Sequence, residues 1–395
     1  MTVTPLMQAE QAVLGAALLE PRQLSHLAGW LRPEHFYRPT HSALYAALLD
    51  LRAEGHPATK APPVTPVPLA WVNDTRDRAS AHTRGITASF MHSLVSACPR
   101  PGHASVYGRM VLEGAIHRSV TEHADRLHQA ARDDAARGTG VEESLHHAQV
   151  LTDVLDDLAR RWGTEPRPAP TAKPSRAPAP PCGIAEERLL ADEELLLGTL
   201  VAHPKELPEV MGWLRPEDFV DPGHDRVYRA LGALHHRGEP VDQLTVLWEC
   251  QRRGALADSM LDADRVRRLC NSAAGGSAGY FGEQVIDASL LRTAAYSARQ
   301  VRVLAGNEAL APGRLISQAT AALVPLDEVR RRRAKAAADS EPKYAPDAPL
   351  ASPPPVRSAA ARARSSLSHT GISAQQDRSA PPPSPVRQRP RKSRL

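Results

Sequence analysis

Apolar residues recur along this chain at the three- and four-residue spacing of an amphipathic α-helix. Leu44, Leu48 and Leu51 follow this spacing within residues 39–54, and Gly55 is the residue expected to end that helix. Ala, Leu, Arg and Glu dominate between clusters of proline, and long β-branched runs are absent. The pattern therefore predicts an all-α protein.

The same pattern occurs twice. Aligning residues 9–57 with residues 192–240, a shift of 183 positions, gives 20 identical pairs among 49 without a gap. Unrelated sequences would give about 3, because random pairs match at roughly 5–7%. Both stretches contain the string GWLRPE. A repeat this long is a whole domain rather than a solenoid unit, so the sequence predicts two copies of one helical domain.

Each copy continues into longer helical segments. Copy 1 is predicted to form helices over residues 103–137 and 141–162, and copy 2 over residues 278–305 and about 314–334. Two long helices joined by a short turn form an αα-hairpin. Because such Ala-rich helices gain stability by covering their apolar stripes, we expect the two heads to pair, within one chain or between chains.

Proline-rich stretches set the domain boundaries. Copy 1 is predicted over residues 1–162, a Pro/Ala-rich linker over 163–185 and copy 2 over 186–334. Residues 335–395 are rich in Pro, Ser, Ala, Gln and Arg and offer little to bury, so a disordered basic tail is predicted there. The expected architecture is two helical-bundle heads, each followed by an αα-hairpin.

The two copies differ after their third helix. Copy 1 reads VTPVPLAW where copy 2 reads VDQLTVLW, which aligns Trp71 with Trp248 and leaves about six extra residues in copy 1. We therefore expect a loop and a shorter fourth helix in copy 1.

Charge is distributed unevenly. The net charge is +5, but residues 330–395 alone carry 15 Lys+Arg against 4 Asp+Glu, which leaves −6 for the rest of the chain. Weak, salt-sensitive nucleic-acid binding and simple solvated charge are both consistent with such a tail, and with the run Arg330–Arg333. The candidate contacts at the C-terminus are Arg387, Arg389, Arg391, Lys392 and Arg394.

The sequence contains no motif for catalysis, a metal or a cofactor in the context that the motif requires. The Walker A motif requires a Gly-Lys dipeptide to cradle phosphates, and the chain has none. The 4 cysteines form no C-x-x-C pair, and H-E-x-x-H is absent. Residues 275–279, GGSAG, match G-x-S-x-G, but this loop follows a predicted helix rather than the strand that precedes a nucleophilic serine in that motif. We therefore expect no enzymatic activity and no cofactor. The chain also lacks a leader-like N-terminus and an apolar stretch of about 18 residues, which favours a cytoplasmic location.

Two kinds of side chain recur at matched positions. His41 and His224 each lie just inside the third helix, and no second His, Cys or acid recurs beside them. A local hydrogen bond is therefore expected rather than a ligand or a switch. Trp30 and Trp213 lie on apolar stripes without interleaved cations, so they are expected to anchor the core rather than to stack on bases.

Together, the recurring motifs resemble the N-terminal domain of DnaB-type replicative helicases. The resemblance is carried by AEQAVLG near the start, by RPEHF and RPEDF, by HSALY and HDRVY, and by GEPVDQLTV in copy 2. Further on, the family has an aromatic residue, a Val four positions later and an Arg eleven positions later. This spacing is matched by Tyr107, Val111 and Arg118, and by Phe281, Val285 and Arg292. Copy 1 departs from the pattern by lacking the Val-Asp that follows Gly-x-Pro.

The resemblance implies a scaffolding role. In that family the heads pair to build a ring collar, the hairpin surface docks primase, and the ATPase motor is a separate RecA-like domain. It implies a partner surface on the hairpins at Tyr107, Arg118, Phe281 and Arg292. The function expected is a non-enzymatic, replication-associated protein that binds a helicase, a primase or itself. Two alternatives remain: an accessory protein that binds nucleic acid through its tail, and the collar subunit of a split helicase whose motor is on another chain.

Overall fold

The computed structural model describes residues 4–60, 69–138, 140–163, 184–257, 261–273 and 275–340. All of them belong to the first of the two compact units into which the chain divides, Met1–Pro342. Every regular element in these ranges is helical, so the predicted all-α class is confirmed. The predicted linker after Gly163 and the predicted disordered tail after Ser340, with its five clustered cations, lie outside the described residues.

Both copies show the same order of helices. A head of five α-helices is followed by the two helices of a hairpin. Copy 1 contains α1 (Pro5–Leu19), α2 (Leu24–Leu27), α3 (Pro39–Ala53), α4 (Leu69–Ser80), α5 (Ala88–Ser96), α6 (Ala104–Arg137) and α7 (Glu142–Trp162). Copy 2 contains α8 (Ile184–Ala202), α9 (Leu207–Met211), α10 (Pro222–His236), α11 (Gln243–Arg252), α12 (Ala263–Cys270), α13 (Ala278–Ala305) and α14 (Pro312–Ser340).

Capping residues and glycines set the ends of the head helices. The side chains of Thr4 and Asp221 accept hydrogen bonds from backbone N–H groups in the first turns of α1 and α10. Gly55 and Gly238 follow α3 and α10 with φ of +78° and +66°, a conformation that glycine adopts without steric cost. The predicted extent of α3 and its terminal glycine are therefore confirmed.

Glycine also allows the first head helix of each copy to approach its neighbour closely. A Cβ atom on Gly15 would overlap the carbonyl oxygen of Leu94 near the end of α5. A Cβ atom on Gly198 would lie 2.6 Å from the backbone nitrogen of Ala273, just after α12. The recurrence of this glycine follows from a backbone contact that any side chain would prevent.

The hairpins of the two copies pack against each other. α6 runs antiparallel to α13, because His117 contacts Ala305 and Leu310 whereas His128 lies beside Ala295. α14 packs on α13 and α7, while α1 and α8 hold each head against the first helix of its own hairpin. The four hairpin helices thus form one bundle, and within this chain the copies are joined through their hairpins.

Two details differ from the sequence-based expectations. α14 continues to Ser340, six residues beyond the predicted end of copy 2, and Ala336 in this extension is fully buried. The fourth helix of copy 1 is not the shorter one, since α4 has 12 residues and α11 has 10. Among the described helices, none combines the length and the apolar character needed to cross a bilayer.

Candidate interaction surface

Each head is seated on its hairpin by a tryptophan that covers a glycine. A Cβ atom on Gly108 of α6 would lie 2.8 Å from Cη2 of Trp30, and one on Gly282 of α13 would lie 2.5 Å from Cη2 of Trp213. A residue larger than glycine would push the indole away from the helix. The two recurring tryptophans therefore anchor the head to the hairpin, as the apolar stripes suggested.

An arginine next to this contact ties the same two parts together. Nη2 of Arg118 donates a hydrogen bond of 2.7 Å to the carbonyl oxygen of His35, and Arg292 donates to the carbonyl oxygen of Asp218. His35 and Asp218 occupy matched positions in the two RPE turns. The guanidinium of Arg118 also lies 5.5 Å from the ring centroid of Tyr37. Both arginines of the predicted partner surface thus lie at the junction of head and hairpin.

The two aromatic members of that predicted surface are more enclosed than their neighbours. Phe281 is 7% exposed, and Tyr107 is half-buried against the core. The large apolar side chains exposed on the same stretches of helix are Val106, Met110 and Tyr280, at 49%, 48% and 53%. Because α6 and α13 are antiparallel, Val106 and Met110 lie at one end of the bundle and Tyr280 at the other.

The Arg330–Arg333 run is largely engaged within the folded unit. The side chain of Arg332 is 12% exposed and forms a bidentate ion pair with the side chain of Asp218, which is 2% exposed. Arg333 pairs with Asp287 at 2.6 Å, and Arg330 donates to Oε1 of Gln149 in copy 1 at 2.7 Å. This part of the basic sequence therefore holds the second hairpin to its own head and to the other copy.

The recurring histidines do have a recurring acid beside them, contrary to the sequence-based expectation. Nδ1 of His41 lies 2.7 Å from Oε2 of Glu10, and Nδ1 of His224 lies 2.8 Å from Oε2 of Glu193. All four side chains are fully buried. The Arg265 guanidinium, which can only donate, contacts Nε2 of His224 at 3.3 Å, so the Nδ1 atom carries the proton shared with Glu193.

These glutamates also organise the chain before the third helix. Glu10 accepts a hydrogen bond of 2.5 Å from the backbone N–H of Tyr37, and Glu193 accepts one of 2.5 Å from that of Val220. Each glutamate therefore ties the first head helix to the start of the third. The signal was present in the sequence, because Glu10 and Glu193 are one of the identical pairs at the 183-residue shift.

The contact between the copies is approximately two-fold symmetric in the positions of its residues. Its polar contacts, however, are not the same on the two sides. A shift of 174 places Arg118 on Arg292 and Ala124 on Ala298, and both alanines are fully buried where the antiparallel helices cross. His117, however, has both ring nitrogens on carbonyl oxygens of the second hairpin's turn, at 2.8 and 3.0 Å. Its equivalent in copy 2 is Leu291, which has no polar atoms to repeat this contact.

Charged groups reinforce this asymmetry. Asp125 of copy 1 pairs with Arg302 of copy 2 at 3.3 Å, and both side chains are about half exposed. Their equivalents are Arg299 and His128, which cannot form the same ion pair on the other side. Burial lowers the pKa of His128, which favours its neutral form there.

A family model describing the N-terminal domain of DnaB-like helicases matches residues 4–113 and again residues 186–277, together about half of the chain. The chain belongs to the DnaB-like helicase N-terminal domain family. The first matched segment is a head with the beginning of α6, and the second is a head that ends just before α13, so the DnaB-like domain is present as a tandem repeat.

Curated relatives match only part of their own length. The replicative DNA helicase DnaB of Mycobacterium leprae is 33% identical over 149 residues, which is 38% of this chain and 23% of that protein. The replicative DNA helicase DnaC of Bacillus subtilis is 29% identical over 157 residues, 40% of this chain and 31% of that protein. This chain thus spans about a quarter to a third of these relatives.

A solved structure is also similar. The crystal structure of the N-terminal domain of DnaB helicase from Mycobacterium tuberculosis is 31% identical, covers 34% of this chain and 96% of its own, and gives a TM-score of 0.31.

The DnaB-like domains of this chain show no metal-binding cluster of three or more His, Cys, Asp or Glu side chains in the described ranges. Their buried polar groups serve packing instead: the Glu–His pairs, the Arg–carbonyl contacts and the Asp218–Arg332 pair all join helices. The arrangement consists of two helical heads joined through one bundle of hairpin helices.

Proposed function

We propose that this chain is a non-enzymatic interaction protein of DNA replication. It presents two paired DnaB-like N-terminal domains to a replicative helicase, a primase or another copy of itself in the cytoplasm. The observation that carries the proposal is the bundle formed by two such domains within one chain. A linker of about 20 residues raises the effective concentration of one domain near the other to about the millimolar range, so pairing does not depend on protein concentration.

The docking surfaces that we propose lie beside the two junctions of head and hairpin, one in each copy. Exposed Val106 and Met110 supply apolar contact area at the first junction, and exposed Tyr280 supplies it at the second. Tyr107 with Arg118 supports the first surface, and Phe281 with Arg292 supports the second. Such an arrangement gives a partner a rigid target, which limits the entropy lost on binding.

A lack of ATP hydrolysis is part of the proposal. The sequence contains no Gly-Lys dipeptide, and the matched family segments are N-terminal-domain segments. We expect pure protein to release no more phosphate from ATP than a heat-inactivated sample does. Release above that control, in a preparation free of contaminating ATPases, would contradict this part.

The partner proposal is tested by pull-down with purified replicative helicase and primase, and by light scattering for self-association. We expect at least one of the three interactions, and we expect the double variant Val106→Asp/Met110→Asp to weaken it. The matched control is Leu69→Asp, which places a charge on a 73% exposed side chain of α4. Failure of all three interactions, or equal weakening by the control, would overturn the proposal.

A further inference from the structure

The second head carries an exposed apolar pair that the fold does not use. All five tryptophans lie in the described residues, and Trp248 is 62% exposed. Leu244, one turn earlier on α11, is 74% exposed. Val246 and Cys250 on the opposite side of this helix are fully buried and fix its orientation. The Leu244–Trp248 side therefore faces solvent.

The internal repeat explains why Trp248 is left outside. Trp71 and Thr75 are the fully buried residues of α4 that correspond to the fully buried Val246 and Cys250 of α11. When α4 and α11 are aligned by their buried positions, the shift is therefore 175. Trp71 donates a hydrogen bond of 3.0 Å to the carbonyl oxygen of Ala17 and so belongs to the core. The expected pairing of Trp71 with Trp248 is therefore wrong.

At this shift the counterpart of Trp248 is Asn73, a polar residue. Asn73 and His92 line one cavity of about 280 Å³ between α4 and α5. The N-cap residues of α5 and α12, Thr87 and Asp262, are also 175 positions apart. At this shift, Arg267 of α12 is equivalent to His92 of α5. Trp248 and Arg267 thus occupy, in copy 2, the positions of these two cavity-lining residues.

Three arginines lie near Trp248 in the second head. Arg267 and Arg252 have side chains 51% and 54% exposed, and Arg268 is exposed beside them. Their counterparts in copy 1 are His92, Asp77 and Ser93, while Arg76 is the arginine that lines the cavity of copy 1. The first head therefore lacks the aromatic platform and these three cations.

The acids next to these arginines leave positive charge in excess. Buried Glu249 is shared by Arg237, Arg252 and Arg253, at 2.8, 3.2 and 2.6 Å, and Arg237 also pairs with Glu239 at 2.8 Å. Asp264 pairs with Arg267 at 2.6 Å, but its side chain is 78% exposed. Exposed pairs of this kind contribute little to stability, so a phosphate can replace the carboxylate at small cost.

We propose that the face formed by Leu244, Trp248, Arg252, Arg267 and Arg268 binds single-stranded nucleic acid. An unpaired base stacks on the indole of Trp248, and the guanidinium groups contact the flanking phosphates. Stacking on an exposed aromatic ring is tolerant of sequence, and guanidinium groups match phosphate geometry. Duplex nucleic acid keeps its bases paired and cannot use the platform. This site is distinct from the basic tail and from the proposed protein partners.

The test is a titration of the full chain with oligo(dT) at low salt, following intrinsic tryptophan fluorescence. We expect quenching, because Trp248 is the most exposed tryptophan and stacking brings a base onto it. Trp248→Ala should weaken binding, measured by oligonucleotide anisotropy, by about 5- to 150-fold. Since the side chain is largely exposed, the variant should unfold at the same temperature as the parent.

The charge contribution is measured separately. Three phosphate contacts predict a log K against log salt slope of about −2, and Arg267→Gln/Arg268→Gln should reduce its magnitude by about 1 to 1.5. Arg160→Gln/Arg161→Gln, which removes two arginines 71% and 53% exposed on α7, is the matched control and should leave the slope unchanged.

Three results would overturn the proposal. Binding without a change in Trp248 fluorescence would place the contact elsewhere, including the tail. Equal quenching by poly-glutamate would show a surface for acidic polypeptides. An equal effect of the control and test arginine variants would reduce the site to general electrostatic attraction.

Discussion

Replacing Asp218 by Ala should be among the most destabilising changes in this protein. The carboxylate is 2% exposed and accepts hydrogen bonds from Arg332, from the Ser289 hydroxyl at 2.7 Å and from the backbone N–H of Arg215 at 2.7 Å. Asp218→Ala leaves the nearly buried guanidinium of Arg332 without its countercharge. Removing one partner of a buried ion pair costs about 3–5 kcal/mol.

His35 provides the matched control in copy 1. Its Nδ1 accepts a hydrogen bond of 3.0 Å from the backbone N–H of Arg32, as Asp218 does from Arg215. Burial lowers the pKa of His35, so the ring is neutral and its loss strands no buried charge. His35→Ala should therefore cost only the hydrogen bond, about 1 kcal/mol.

Thermal unfolding followed by circular dichroism distinguishes the two variants. At about 1.4 °C per kcal/mol for the compact unit Met1–Pro342, Asp218→Ala should lower Tm by roughly 4–7 °C and His35→Ala by roughly 1–2 °C. Adding Arg332→Met, which removes the stranded charge but keeps the side-chain length, should recover part of the loss. Equal losses for Asp218→Ala and His35→Ala, or no recovery by Arg332→Met, would refute this reasoning.

Two further predictions concern close packing and the contact between copies. Gly15→Ala should lower the free energy of unfolding, measured in urea, by about 1–3 kcal/mol, because the new Cβ atom would overlap the carbonyl oxygen of Leu94. Gly29→Ala is the control: a Cβ atom there would meet no atom within 4 Å, so the free energy of unfolding should change by less than about 1 kcal/mol. His117→Leu removes at least one hydrogen bond to the second hairpin's turn and should speed amide exchange there by about 2-fold or more. His123→Leu, whose ring bonds only within α6, should not, and unchanged exchange in His117→Leu would contradict the assigned contact.

Much of the fold was predictable because its signals are local. Apolar spacing and a terminal glycine placed α3, and α13 was predicted over residues 278–305, as observed. The hairpins followed from long helical segments around short turns. Helix type and extent depend on neighbours three and four positions away, which a single sequence displays directly.

Side-chain partners distant in sequence were not predictable in the same way. Glu10 meets His41 across 31 residues, and Arg332 meets Asp218 across 114. Nothing in the spacing of either pair indicates contact, because only the packing of whole helices brings them together. The alignment of Trp71 with Trp248 was wrong for a related reason. It matched two identical residues, but equivalent positions in the two helices are those with the same burial, and Trp71 is buried whereas Trp248 is exposed.

Comparison of the two copies separates residues that hold the fold from residues free to change. Contacts within each domain recur with the same chemistry: glycine under the crossing helix, tryptophan on glycine, arginine on a turn carbonyl, and glutamate on histidine. The positions that differ most are His117 against Leu291, at the contact between copies, and Asn73 against Trp248, in solvent. Copy 1 adopts the fold with Asn73 at this position, so the fold of copy 2 does not require a tryptophan there. Folding therefore does not explain an exposed tryptophan beside arginines in copy 2, and this difference between the copies is the basis for the nucleic-acid site that we propose.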